Sequence, residues 1–287
     1  MKFTKMHGIG NDYVYVNCFE ETIGNPGRLA RQVSSRHSGI GADGLILITP
    51  SKKADVGMRI FNADGSEAEM CGNGIRCVAK YAYERGLAPK KRMKVETRAG
   101  TKTLDLKVKG PMVQAVRVNM GRPGLLRKQI PMKTVKGSKG GSNMRVIDEP
   151  LHMDVAVDDK TFNITCVSMG NPHCVIFLKK LKGFPVERYG PLIERHSVFP
   201  ERINVHFVEV LRREEVRIKT WERGSGQTLA CGTGASAVCV AGVLGKKTSR
   251  KILGHLPGGD LTLEWSKGGD VFMTGPAEEV FEGVWNR

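Results

Sequence analysis

The chain has 287 residues, of which 40% are apolar, and it carries a formal net charge of +16. This length and composition are typical of a globular protein with one large domain or two lobes, and they exclude a low-complexity chain. No apolar run reaches the ~18 residues that a membrane-spanning helix needs, and the start of the chain has no apolar signal core, so we expect a cytoplasmic protein without membrane association.

The first half of the chain alternates short β-branched stretches with two helical patterns. Glycine and polar residues separate these stretches, as expected for turns between strands. The predicted elements in chain order are a strand at 13–18, a helix at 27–35, strands at 45–49 and 56–62, a helix at 74–85, and strands at 94–97, 103–108 and 113–119.

The second half predicts the same order of elements. A Gly- and Lys-rich loop at 132–144 follows a lobe junction that we expect near 121–124. The further predicted elements are strands at 163–168 and 174–178, a helix at 192–195, strands at 205–210 and 215–221, a helix at 234–244, and strands at 261–265 and 271–274.

Short motifs also recur between the two halves at a nearly constant offset. GNDYV at 10–14 corresponds to GNPHC at 170–174, and CGNG at 71–74 corresponds to CGTG at 231–234, both 160 positions later (170 minus 10, and 231 minus 71). A third pair, AGT near 100 and GGD near 259, follows at an offset of 159. Three matches in the same order indicate two lobes built on one plan.

The repeated Cys-Gly turn indicates chemistry, because each copy lies immediately before a predicted helix. A helix N-terminus offers unpaired N–H groups and partial positive charge, which should lower the pKa of Cys71 and Cys231 and hold a substrate carboxylate. Inversion of a carbon centre needs a base on one face and an acid on the other. Two such thiols supply both, and the bound carboxylate would stabilise the carbanionic transition state.

The other cysteines predict no further chemistry. There are seven cysteines, without a Cys-x-x-Cys pair and without His residues at metal-ligand spacing. We therefore expect no disulfide framework, no metal site and no thiol–disulfide exchange activity. We interpret five of them as small apolar core residues: Cys18, Cys77, Cys166, Cys174 and Cys239.

A glycine fingerprint at 39–44 (GIGADG) tests for dinucleotide binding. That motif requires a strand before it and a helix after it, whereas here a predicted helix precedes it and a strand follows. We therefore reject a nicotinamide cofactor and expect no cofactor at all.

The basic residues form three clusters rather than one patch. Aromatic residues make up only 6% of the chain, and no nucleic-acid-binding motif accompanies the clusters. We interpret them as solvated surface and expect no specific nucleic acid partner, with polyanion binding by a retired enzyme fold as the alternative. The clusters are Lys90, Lys91, Arg92 and Lys94; Lys179, Lys180 and Lys182; and Lys246, Lys247, Arg250 and Lys251.

These motifs together resemble the diaminopimelate epimerase family over essentially the whole chain. The resemblance rests on KMHGIGND at 5–12, GIGADG at 39–44, FNADGS at 61–66, CGNG at 71–74, MGNPH at 169–173, RINV at 202–205, ERGSG at 222–226 and ACGTG at 230–234. It implies an isomerase that converts LL- to meso-diaminopimelate without pyridoxal phosphate or metal, in lysine and cell-wall precursor biosynthesis.

The resemblance also implies an architecture. It implies an α/β (α+β) fold of two pseudo-symmetric lobes, each a β-rich barrel-like sheet around a central helix, with the active site in the cleft between them. The expected lobes are 1–121, to which 276–287 returns, and 122–275. The family is usually homodimeric, so a homodimer acting on a small amino acid is expected.

Matched position by position, the resemblance assigns roles to individual residues. Cys71 and Cys231 correspond to the catalytic pair, and His173 and Glu222 to residues that adjust the protonation of the thiols. Arg223 suits a distal carboxylate and Glu222 a distal ammonium group. The substrate-binding positions are Asn11, Asn62, Gly72, Asn73, Asn171, Asn204, Glu222, Arg223, Gly232 and Thr233.

Other functions remain compatible with the sequence. A two-thiol racemase of proline, hydroxyproline or histidine would use the same cysteines, but its substrate lacks the distal charged pair that Glu222 and Arg223 suit. A related isomerase of the same fold has no catalytic cysteines. Some family members carry Gln where this chain has Gly44, which leaves the contribution of that position open.

Overall fold

The computed structural model describes residues 1–133 and 151–286, without the side chains of 151–153. The predicted loop at 132–144 lies outside the described residues beyond position 133. The chain divides into two compact units: unit 1 comprises Met1–Asn119 and Thr274–Arg287, and unit 2 comprises Met120–Met273.

The described residues are rich in strands and contain few helices. The helices are α1 (Pro26–Ser34), α2 (Gly72–Glu84), α3 (Val186–Glu194) and α4 (Gly232–Leu244), with a short 3-10 helix at Arg127–Gln129. The strands are β1 (Lys2–Gly8), β2 (Asn11–Asn17), β3 (Gly44–Thr49), β4 (Val56–Asn62), β5 (Glu67–Ala68), β6 (Arg92–Thr97), β7 (Gly100–Lys109), β8 (Met112–Gly121), β9 (Leu151–Val157), β10 (Lys160–Ser168), β11 (Pro172–Leu178), β12 (Asn204–Arg212), β13 (Glu215–Glu222), β14 (Gly226–Thr228), β15 (Lys251–Leu256), β16 (Gly259–Trp265), β17 (Val271–Gly275) and β18 (Glu278–Val284).

The same pairing pattern occurs in both units. In unit 1, β1 pairs antiparallel with β2, β2 parallel with β3, β3 antiparallel with β4, and β4 parallel with β6. In unit 2, β10, β11, β12, β13 and β15 repeat these four relations in the same order. Hairpin strands β5 and β14 occupy matching places on β4 and β13. The duplication predicted from the motifs is therefore a duplication of topology.

One buried helix stands at the centre of each unit. Helix α2 contacts β1, β2, β4, β6 and β7, and α4 contacts β10, β11, β12, β15 and β16. The sequence of α4, GTGASAVCVAGVL, has no charged residue, as expected for a helix that is covered on all sides. The α+β class and the sheet around a central helix agree with the expectation.

Most predicted elements occur with shifted ends, and one helix was placed wrongly. Helix α3 covers Val186–Glu194, whereas 192–195 was predicted. A side chain at position 190 would lie 2.6 Å from the Trp221 ring, so the glycine serves close packing and does not end the helix.

The glycine loop at 39–43 lies between α1 and β3, with the helix before it and the strand after it. This is the order that argued against dinucleotide binding. The residues of all three basic clusters are exposed, which agrees with their interpretation as solvated surface. Among the described residues, no helix combines the length and hydropathy that crossing a membrane requires.

Candidate active site

Cys71 is the N-cap residue of α2, and its sulfur takes part in the helix start. The Gly74 N–H donates to Sγ at 3.3 Å, and the thiol donates to Oδ1 of Asn11 at 3.2 Å. The thiol is partly exposed. A capping position that usually belongs to Ser, Thr or Asp is thus filled by a thiol.

Asn11 and Asn73, both predicted to bind substrate, lie beside this thiol. The Asn73 amide reaches Oδ1 of Asn11 at 3.4 Å, and Nδ2 of Asn11 donates to Asp43 at 2.7 Å. Tyr13 donates a hydrogen bond to the Cys71 sulfur. Tyr13 and Asp43 were missed in the sequence, although Tyr13 occupies the position that corresponds to His173 (173 minus 160).

Asn62 ends β4 on the neighbouring turn and is exposed. Its amide donates to Ser66 Oγ at 3.0 Å, and the next residue, Ala63, donates its N–H to the Asp43 carbonyl at 3.1 Å. The Asp43 segment therefore links the Asn62 turn to the group around Cys71.

Gly44 starts β3 where the backbone of β4 comes close. A Cβ at this position would lie 2.2 Å from the Phe61 carbonyl oxygen. A side chain such as Gln would require the two strands to shift apart. The glycine of this chain allows their close approach and supplies no side chain to the site.

Cys231 is the N-cap residue of α4 and is 5% exposed. Its sulfur lies 3.7 Å from Thr233 Oγ1, and its thiol forms a hydrogen bond with the Glu222 carboxylate. Glu222 in turn accepts a hydrogen bond from Thr228 at 2.6 Å. Cys231 and Cys71 thus occupy equivalent positions with different partners.

The prediction that the helix N-termini lower both thiol pKa values is wrong for this structure. Burial raises the pKa of Cys71, and the N–H groups of Gly74 and Asn73 offset that effect only in part. Burial, and then the negative charge of Glu222, raise the pKa of Cys231 well above its ordinary value. Desolvation of the sulfur therefore outweighs the helix terminus at both positions.

His173, at the start of β11, lies near Cys231, and Asn171 contacts the His173 ring. Nε2 of His173 lies 2.8 Å from Asn171 Oδ1, and Nδ1 lies 2.9 Å from Nε2 of His206. His206 was not predicted as a site residue. Ligand atoms of His173, His206 and Cys231 lie within 4.8 Å of one another.

The two histidines satisfy each other instead of forming a tetrahedral metal site with Cys231. The two imidazole nitrogens are 2.9 Å apart. Two nitrogens bound to tetrahedral Zn²⁺ would be separated by about 3.3 Å, given Zn–N bonds of ~2.0–2.1 Å. The geometry therefore fits a hydrogen bond between the rings and does not fit shared coordination.

Asn204 and Arg223 are joined across β12 and the turn after β13. The Asn204 side chain donates to the Pro172 carbonyl at 2.9 Å and accepts the Arg223 N–H at 3.0 Å. The exposed Arg223 guanidinium donates to the Glu201 carbonyl at 3.0 Å.

Glu194, at the end of α3, fixes the same turn and was missed in the sequence. Its buried carboxylate accepts from Trp221 Nε1 at 2.8 Å and from the Gly224 N–H at 3.1 Å. Because these two donors flank Glu222 and Arg223, the carboxylate holds that pair in place. An isolated glutamate in a helical pattern gives no signal for such a role.

None of the remaining cysteines caps either central helix. Cys77, Cys166, Cys174 and Cys239 are buried, as predicted, and burial raises the pKa of Cys77 to about 11. Cys18 is only half-buried and packs against the edge of the unit 1 core, so its assignment to the buried core is corrected.

Comparison with solved structures finds the same fold in proteins of low sequence identity. A phenazine biosynthesis protein of the PhzF family from Bacillus anthracis has a TM-score of 0.70 at 18% identity, with 99% of this chain and 98% of that chain covered. A probable proline racemase from Agrobacterium radiobacter has a TM-score of 0.67 at 14% identity, with 99% and 92% covered.

Sequence comparison identifies the family. The profile of the family described as diaminopimelate epimerase matches residues 3–126 and 165–280. The diaminopimelate epimerase of Agathobacter rectalis is 56% identical over 284 residues, and that of Acetivibrio thermocellus is 54% identical over 284 residues, each alignment covering 99% of this chain and 98% of the relative. The chain belongs to the diaminopimelate epimerase family and is an isomerase.

Proposed function

We propose that this enzyme converts LL-diaminopimelate to meso-diaminopimelate by proton transfer between two cysteines. The observation that carries the proposal is the pair of thiols, Cys71 and Cys231, each capping the central helix of one of two units with the same topology. Family membership indicates the substrate, and the duplicated thiols indicate the type of reaction.

The reaction consists of two proton transfers at one carbon. The thiolate of one cysteine removes the α-hydrogen, and the thiol of the other donates a proton to the opposite face. The net change is inversion, after which the two sulfurs have exchanged protonation states. The reverse reaction uses the same groups with their roles exchanged.

The substrate α-carboxylate is bound by the N–H groups that begin the two helices. In this proposal the donors are the backbone groups of Gly72, Asn73, Gly232 and Thr233. Fixed donors aimed at the carboxylate stabilise the carbanionic transition state, and they do so most strongly away from water.

The distal end of the substrate is bound by charged groups near Cys231. Arg223 binds the distal carboxylate and Glu222 the distal ammonium group, and Asn11, Asn62, Asn171 and Asn204 position the rest. The contact between Glu222 and Cys231 supports a second role, because the carboxylate favours the protonated thiol. His173, whose ring lies near the Cys231 sulfur, adjusts the same thiol.

The cellular setting follows the family. We propose a cytoplasmic homodimer in lysine and cell-wall precursor biosynthesis, active without pyridoxal phosphate or metal. Activity should persist after dialysis against a chelator and in a preparation without visible absorbance. Activity that returned only on addition of metal or pyridoxal phosphate would contradict this.

Replacing Arg223 tests the substrate. Loss of a charge-assisted contact to the distal carboxylate costs on the order of 2–5 kcal/mol. The Arg223→Ala variant should therefore lose at least tenfold in kcat/KM for diaminopimelate, measured as LL-to-meso conversion. Exposed Arg195 offers a matched control on the same unit. A wild-type enzyme that turned over proline, hydroxyproline or histidine faster than diaminopimelate would show that the substrate is wrong.

A further inference from the structure

Three polar side chains occupy one face of adjacent strands beneath the start of α4. His206 on β12 is the register partner of Val175 on β11 and of Thr220 on β13. His173, two residues before Val175, therefore shares the face of β11 that adjoins His206. Gly234, in the first turn of α4, lies directly over this face, because a Cβ there would be 2.0 Å from the His206 ring.

A continuous chain of hydrogen bonds connects these residues. Thr220 Oγ1 lies 3.0 Å from His206 Nδ1, His206 Nε2 lies 2.9 Å from His173 Nδ1, and His173 Nε2 lies 2.8 Å from Asn171 Oδ1. Both rings are fully buried, and Thr220 is 2% exposed. This series of hydrogen bonds is thus closed to water along most of its length.

The protons of this chain have one consistent arrangement. Burial lowers the pKa of His173 well below its ordinary range and that of His206 to about 3, so each ring is neutral and has one N–H. The Asn171 oxygen can only accept, so the N–H of His173 is on Nε2, and its Nδ1 must accept from His206. His206 then has its proton on Nε2 and accepts the Thr220 hydroxyl at Nδ1.

Packing alone does not require this chain of hydrogen-bonded side chains. The corresponding positions in unit 1 (206 minus 160 and 220 minus 160) are Ile46 and Ile60. They are register partners like His206 and Thr220, and they are equally buried. The same scaffold is therefore filled by apolar side chains in one unit and by a hydrogen-bonded chain in the unit that contains His173. Burying polar side chains costs free energy unless each of them is hydrogen-bonded. Their presence where apolar residues would pack equally well indicates a role beyond packing.

We propose that His206 and Thr220 are positioning residues that lock His173 in the tautomer with its proton on Nε2. The inference rests on the proposed function, in which Cys231 transfers a proton to or from substrate. In this tautomer both nitrogens of His173 are engaged, so the ring cannot take the proton of Cys231. The thiol proton is thereby reserved for the substrate carbon, with Glu222 accepting its hydrogen bond and Arg223 adding positive charge nearby.

Replacement of His206 tests whether this residue fixes the tautomer of His173. His206→Leu removes the donor to His173 Nδ1, whereas His206→Gln keeps an N–H in a similar place and should rescue. Thr220→Val and Thr220→Ser form a second pair in case His206→Leu does not fold, and folding is checked by thermal unfolding. Exposed His37, replaced by Gln, is the control.

The first readout is independent of turnover. Long-range ¹H–¹⁵N NMR of the substrate-free enzyme should show His173 protonated on Nε2 in the wild type, His206→Gln, Thr220→Ser and His37→Gln. His206→Leu and Thr220→Val should show a mixture of tautomers. A wild-type His173 protonated on Nδ1, or an unchanged tautomer in both disruptive variants, would overturn the proposal even if the enzyme epimerises diaminopimelate.

The second readout follows Cys231. With a free nitrogen on His173 able to accept its proton, Cys231 should be alkylated at least tenfold faster at neutral pH in His206→Leu than in the wild type, as measured by peptide mass spectrometry. The kcat for epimerisation should fall at least tenfold with KM changed less than threefold. Loss of kcat without change in the tautomer or in Cys231 alkylation would indicate a merely structural role and would contradict the inference. A tautomer shift in an enzyme without epimerase activity would refute the proposed function alone.

Discussion

Cys71 and Cys231 occupy the same position in two copies of one motif, yet their neighbours differ. Cys71 accepts hydrogen bonds from the Gly74 N–H and from Tyr13, which stabilise a thiolate. Cys231 contacts the carboxylate of Glu222, which stabilises a thiol. The duplication therefore supplies two sulfurs, and the residues around them favour the thiolate more at Cys71 than at Cys231 in the substrate-free protein.

This difference predicts an order of alkylation in the substrate-free enzyme. The thiolate is the reactive form, and the pKa of Cys71 is raised less than that of Cys231. As pH rises, Cys71 should react with iodoacetamide first and Cys231 only at higher pH. Peptide mass spectrometry after timed labelling at a series of pH values measures both rates in one sample.

Glu222→Gln tests the cause of the difference. Removing the negative charge should lower the pKa of Cys231 and move its alkylation to lower pH, while Cys71 stays unchanged. Glu201, exposed on the same unit, offers a charge-matched control as Glu201→Gln. Equal alkylation profiles for the two cysteines in the wild type would show that their neighbours do not distinguish them.

At the scale of elements, each central helix begins in direct contact with a strand beneath it. A Cβ on Gly234 would lie 2.0 Å from the His206 ring, and one on Gly74 would lie 2.6 Å from the terminal methyl of Ile46. The end of an isoleucine can rotate away, whereas an imidazole with hydrogen bonds on both nitrogens cannot do so without losing them.

Alanine at these two glycines should therefore have unequal effects. Gly234→Ala should reduce the free energy of unfolding by about 1–3 kcal/mol through overpacking. Gly74→Ala should be close to neutral, because the helix propensity of alanine offsets a small shift of Ile46. Urea unfolding measures both, and the double variant Gly234→Ala, His206→Ala should lose less than the two single losses added. Equal losses at the two glycines would argue against the contact.

The sequence predicted the elements whose pattern is local. Strand β4 was placed at its observed ends, and α2 and α4 were placed to within two residues at each end, because apolar runs ended by polar turns determine them. Strands β1 and β18 were missed, since KFTKMHG and EEVFEGV mix charged and apolar residues and become strands through pairing with each other.

The residues of the candidate site also divide into those with a local sequence signal and those without one. The two cysteines were found because a duplication is visible in one sequence. Tyr13, Glu194 and His206 were not, because their relevance comes from contacts across strands and from the end of α3. The expected low thiol pKa was wrong because the sequence indicates the helix terminus but not the burial that outweighs it.

At the scale of the whole molecule, two buried neutral histidines make stability depend on pH. Their folded-state pKa values lie below the ordinary value, that of His206 at about 3. At these two positions the unfolded chain therefore binds more protons than the folded one below pH ~6.5, so their contribution to stability falls as pH decreases through this range.

Acidification should thus weaken the wild type more than a variant without His206. Between pH 6.5 and 5 one such histidine accounts for ~2 kcal/mol of the free energy of unfolding. His206→Gln should lose less over this interval, as measured by urea unfolding at each pH, while His37→Gln, at an exposed position, should follow the wild type. Identical pH dependence in all three proteins would mean that His206 becomes protonated in the folded state.

The central claim for the molecule is that two cysteines act on opposite faces of one carbon. The proton that is removed is then not the proton that is returned. Replacing either Cys71 or Cys231 with Ala should abolish inversion. Replacing Cys77 or Cys239, which are buried within the same two helices, should affect it far less.

Initial isotope incorporation tests this most directly. In deuterated water, LL-diaminopimelate is converted briefly and both isomers are analysed by mass spectrometry and NMR. The product should carry deuterium at the inverted carbon from the first turnover, because its proton comes from a thiol that has exchanged with solvent. Recovered substrate should carry much less. Substantial retention of the original hydrogen in the product, or near-normal inversion by either the Cys71→Ala or the Cys231→Ala enzyme, would contradict the two-thiol account.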